Sequence, residues 1–148
     1  MPPIFKSQIF EQLVWNNELP EWPILNGVFR GHKELEIEVS LVGGLDMALD
    51  WAELLQRSEA TLHLLLNHED QILIDAAPEI HRKHQTYFGD RWEKTSLEIL
   101  SELTLRLICF YHDGSAHLWY SGSAMFNHLD VDLGLDPDLR VTEVRFDG

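Results

Sequence analysis

With one cysteine in 148 residues, several classes of function drop out at once. Cys109 has no partner for an intrachain disulfide, and no zinc site built on cysteines can form. It lies in the apolar run "LRLICFY", where a thiol is expected to be buried and inert. Basic residues are also scarce: Lys plus Arg number 11 against 25 Asp plus Glu, a formal charge of −14. Nucleic acid and anionic membrane both require basic surface, so neither is an expected partner. No window approaches eighteen consecutive apolar residues, so no transmembrane helix is expected. The start "MPPIFKSQIF" lacks the charged segment and continuous apolar stretch of a signal peptide, and a cytoplasmic protein is the expectation. Catalytic motifs are missing as well. Gly43-Gly44 does not open a phosphate-binding loop, and Ser121 and Ser123 in "YSGSAM" lie outside any G-x-S-x-G elbow. No cofactor is implied.

The residues that are present describe a folded domain. Hydrophobic content of 45%, with five Trp, is ample for one core at this length. Residues 1–23 read as an amino-terminal arm or short helix, with Phe5, Ile9, Phe10, Leu13 and Val14 near helical spacing. Residues 24–42 read as a hairpin of two strands, 24–30 and 34–42, turning at Gly31-His32. In the second strand Leu35, Ile37, Val39 and Leu41 alternate with Glu34, Glu36, Glu38 and Ser40, the mark of a half-buried strand. A helical segment is expected over 45–102. Asp46 is its expected cap, Pro78 should kink or divide it, and a short helix near 96–102 begins at Thr95 or Ser96. Residues 103–148 read as a four-strand β meander, with Asp113-Gly114 in its first turn and later strands at 127–133 and 140–146. The fold class is α+β: an antiparallel sheet, hairpin plus meander, packed on the central helices as a single domain.

The stretch "MFNHLDVDLGLD" sets His128, Asp130 and Asp132 at alternate positions. On a strand the first and third would stand roughly 13 Å apart, too far to share one ion. A metal-dependent hydrolase using His128 and Asp130 is therefore the alternative reading, and a solvated strand face the preferred one. His81 and His84 in "EIHRKHQ" do not form His-Glu-x-x-His, and Arg82 and Lys83 beside them oppose a cation. The acids are the stronger signal. Glu34, Glu36 and Glu38 share one strand face, and Asp130, Asp132, Asp136 and Asp138 gather near the carboxyl end. Like charges packed together repel, so a concentrated acidic face invites a basic protein partner or serves to prevent sheet association. Glu34, Glu36, Glu38, Asp130 and Asp132 are the expected contact set, with Trp119 and Tyr120 as candidate aromatic anchors, against the favoured alternative that one of the two is core.

"FYHDGSAHLWYSGSAMFNHLDVDLGLDPDLRVTEVRF" resembles a group of small bacterial domains of unknown function. They share a D-G-S turn, a strand ending in Trp-aromatic, a Phe-x-His-hydrophobic step and a closing strand. Some of these domains occur as immunity proteins in polymorphic-toxin systems. The likeness spans roughly residues 24 to 148 and rests on turn and core residues. Where the group often has a Gly before the His, this chain has Asn127, and it continues with Pro137. The resemblance implies an α+β binding domain that neutralises a toxin, and it carries over no catalytic residue. The expectation is an acidic, non-enzymatic interaction protein whose partner is a basic toxin domain, with homodimerisation through the sheet as a further possibility.

Overall fold

The computed structural model describes residues 7–16, 23–32, 35–43, 50–89 and 96–147. Seven strands form one sheet in sequence order: β1 (Phe10–Asn16), β2 (Ile24–His32), β3 (Leu35–Val42), β4 (Leu103–Tyr111), β5 (Ala116–Gly122), β6 (Asp130–Leu135) and β7 (Val141–Asp147). Between β3 and β4 run the helices α1 (Trp51–Asn67), α2 (Glu69–Phe88) and α3 (Ser96–Ser101). All neighbouring strands are antiparallel except β3 and β4, which are parallel. That exception follows from the helices: a parallel pair needs a long crossover, and the helical segment supplies it. The α+β class is as expected. The hairpin and the meander, however, are halves of one sheet joined at a parallel seam.

Period-two alternation sorts the strands into two faces. Leu25, Ile37, Val39, Leu41, Ile108, Phe110, Leu118, Tyr120, Val131 and Leu133 point inward, where they meet Leu54, Leu62, Leu65, Ile72 and Ile80 of the helices in one core. Asp50 starts α1, its Oδ1 accepting from the Ala52 and Glu53 amides at 3.0 and 3.2 Å. The expected caps Asp46 and Thr95 lie outside the described residues.

Three expectations need correction. The segment read as an arm or helix contains β1. Gln12 has φ +56°, and the β1–β2 register shifts between Glu11 and Val14, so an extra residue is inserted there. Phe10, Leu13 and Trp15 therefore face inward at spacings of three and two, which imitates a helix. Second, α2 runs uninterrupted through Pro78. The ring removes the donor to the Ile74 carbonyl, and Ile74 and Pro78 both lie on the exposed side, where water substitutes. Third, β6 begins at Asp130. Residues 124–126 form a 3₁₀ turn, and Asn127 and His128 follow with φ of +51° and +58°. Gly122 admits this turn: a Cβ there would lie 2.5 Å from the Leu129 carbonyl and 2.6 Å from the Phe126 Cβ.

Candidate functional site

The helices cover one face of the sheet, and among the described residues none covers the other. The registers define this open face. Glu36, Glu38 and Ser40 occupy it on β3, Leu107, Cys109 and Tyr111 on β4, and His117, Trp119 and Ser121 on β5. Asp130, Asp132 and Gly134 follow on β6, and Glu143, Arg145 and Asp147 on β7.

At its centre lies a buried carboxylate. Asp132 stands between its cross-strand partners Trp119 and Arg145, and its residue exposure is only 1%. His117 Nδ1 lies 2.7 Å from Asp132 Oδ1, and Arg145 Nη2 donates to Asp132 Oδ2 at 3.1 Å. Both carboxylate oxygens are thus engaged, as a buried charge requires. Arg145, half exposed, also approaches Glu143 and Asp147 at 3.6 Å. The surrounding carboxylates, Asp147 first, hold its guanidinium charge still more firmly than usual. Gly134 keeps the site compact, because a Cβ there would come within 3.3 Å of the His117 ring.

The aromatic rim is built around this network. The Tyr111 and His117 rings meet edge to face at 5.4 Å. The Cys109 thiol lies on this face, opposite His117 in the register. Burial, reinforced by the Asp132 charge, pushes that thiol up to about 11. Burial likewise raises the Tyr111 phenol to about 12, with Cys109 and Asp132 adding to it. Cys109 is therefore a neutral thiol at physiological pH, although it stands opposite His117, whose ring meets Asp132. A cysteine nucleophile needs the opposite shift.

The expected contact residues separate into groups. Glu36, Glu38 and Asp130 lie exposed on the open face, and Trp119 lies half-buried beside them. Glu36 shares Arg30 with Glu11. Glu34 lies outside the described residues. Asp132 faces the same way but is buried and paired, so it acts as a fixed counter-charge rather than a solvent-facing contact. Tyr120 requires a correction. It points to the helices, is 1% exposed, and donates its hydroxyl to Glu69 Oε1 at 3.2 Å. Adjacent strand residues face opposite ways, so Trp119 and Tyr120 cannot both be surface anchors. Burial and the Glu69 charge raise the Tyr120 phenol far above its ordinary range.

The other acids of the carboxyl end have local work. Asp136 Oδ1 accepts from the Asp138 and Arg140 amides at 2.9 Å and shapes the β6–β7 turn. His128 is exposed in the turn before β6, off the strand that was expected to align it with Asp130. Among the described residues, no group of three His, Cys, Asp or Glu side chains could hold a metal ion. Also among them, no helix is long and apolar enough to cross a membrane.

Tyr111 and Arg145 escaped the sequence reading, which offers His117 only, with His112, as a further metal ligand for His128 and not as a partner of Asp132. The signal was present: His117 and Trp119 alternate, as do Glu143, Arg145 and Asp147. What sequence lacks is the register that sets Arg145 opposite Asp132 and His117 on the diagonal. Comparison of the chain with family models, with curated proteins and with solved structures found no match.

Proposed function

We propose that the chain is an acidic protein-binding domain that receives a basic partner on the open face of its sheet, in the manner of an immunity protein occluding a toxin domain. The observation that carries this reading is the exposure of Glu36, Glu38 and Asp130 on a face that no described helix covers. A formal charge of −14 supports it, because a negative face raises the encounter rate with a basic surface and fixes its orientation. The Asp132 network supports it too. By pinning His117 and Arg145, the buried carboxylate holds the rim around Trp119 in one geometry, which lowers the ordering cost of docking.

The test is direct binding to the product of the reading frame adjoining the gene. Replacing Glu36 and Glu38 by Gln and Asp130 by Asn should weaken the complex by roughly tenfold or more. Unchanged affinity in that triple variant would reject the acidic face as the docking surface.

A further inference from the structure

A second feature of the open face lies away from the Asp132 network, across the first four strands. There a groove of about 410 Å³ opens to solvent, a size within the roughly 300–1,000 Å³ of small-ligand sites. Val14, Val28 and Leu107 supply apolar wall, and Asn26, Ser40 and Glu38 supply the polar groups. Val14, 60% exposed on the edge strand, forms one side. The insertion at Gln12 shifts the register that places Val14 opposite Asn26. Glu38 lies between Val28 and Leu107 in the register, so the one carboxylate among the described residues of the groove is flanked by apolar surface.

Three observations define what would fit. Val14, Val28 and Leu107 give the groove an apolar side against which an aliphatic stem can lie. Glu38 has no ion pair among the described residues, whereas nearby Glu36 is met by Arg30. Ser40 donates to Asn26 Oδ1 at 2.9 Å, which fixes the amide and leaves that oxygen a second lone pair. A carboxylate and an amide oxygen on diagonal positions of β3 and β2 match a planar fork of N–H donors better than a compact ammonium.

We infer that this groove is the anchor site for an arginine side chain of the partner, its stem against Val14, Val28 and Leu107 and its guanidinium on Glu38 and Asn26. The inference rests on the acidic-face reading and sharpens it by naming which residue of a basic partner is read. It also assigns a role to the edge strand β1, which the Asp132 network does not use.

The probe is N-acetylarginine methylamide, titrated into the isotopically labelled chain and followed by amide chemical shifts. The inference expects saturable shifts confined to the amides around Asn26, Ser40 and Leu107. It expects the citrulline and lysine analogues to bind at least about tenfold more weakly, because they lack the charge or the fork. Glu38→Gln should weaken arginine binding by a similar factor, while Asp138→Asn, an acid in the distant β6–β7 turn, should leave it unchanged. No saturable shift, equal binding of the citrulline or lysine analogue, or an equal loss in both variants would overturn the anchor. The acidic-face reading is judged separately, by the affinity for the partner protein of a variant that neutralises Glu36 and Asp130 and keeps Glu38, so each can fail without the other.

Discussion

Asp132 is the residue around which the open face is organised. It is buried, it carries charge, and its two oxygens hold His117 and Arg145 in fixed places. Removing a carboxylate from such a network leaves its partners without their acceptor, a loss of about 2–3 kcal/mol with Arg145 half exposed to water. Asp132→Ala should therefore lower the urea midpoint by that equivalent, and Asp130→Ala, at an exposed position, by less than about 0.5 kcal/mol. Equal effects of the two substitutions would contradict the burial of Asp132. Cys109 makes the second prediction at this scale. Burial raises its thiol from 9.0 to about 11. Between those values the unfolded chain gives up the proton and the folded chain keeps it, so ionisation favours unfolding. The stability this group contributes is whole below about pH 9 and is lost as pH rises toward 11, about 3 kcal/mol in all. Urea midpoints at about pH 8 and about pH 10.5 should differ by most of this amount, and Cys109→Ser should shrink the difference. A thiolate absorbance appearing near pH 8.5 would contradict it.

At the scale of elements, the strands and helices with clean periods were legible in sequence, and those that break their period were not. β3 was legible because Leu35, Ile37, Val39 and Leu41 alternate without interruption against their polar neighbours. The hairpin at Asp113-Gly114 was legible because the turn demands those residues: Gly114 has φ +91°, and Asp113 Oδ1 accepts from the Ser115 amide at 2.9 Å. β1 was hidden by one inserted residue, which turned a strand's inward set into helix-like spacing. Alternation makes one of Trp119 and Tyr120 core, but which of the two it is was not legible. Register was not legible at all. The contacts of Asp132 with His117 and Arg145 depend on three strands meeting in one order, and no local pattern encodes that. α2 yields a prediction of its own. Pro78 is exposed and costs the helix a hydrogen bond, so Pro78→Ala should stabilise the chain by about 1–3 kcal/mol, read as a higher midpoint of thermal unfolding. A lower midpoint would mean that Pro78 is needed where it stands.

The whole molecule is a seven-stranded sheet clothed by its described helices on one side, carrying a strong negative charge. One face builds the core through Leu, Ile and Val. The other carries a charged network, a half-buried Trp119 and the exposed acids Glu36, Glu38 and Asp130. Two sites of different character share that face: a rigid centre at Asp132 and an apolar groove ending in Glu38. Charge of this size acts over a Debye length of about 8 Å at physiological salt, so its effect belongs to encounter more than to the final grip. The most direct measurement is therefore the association rate with the purified partner as ionic strength rises. A rate that falls steeply with salt, with a flatter slope when Glu36, Glu38 and Asp130 are neutralised together, is the predicted result. The same slope in the parent chain and the triple variant would contradict the account.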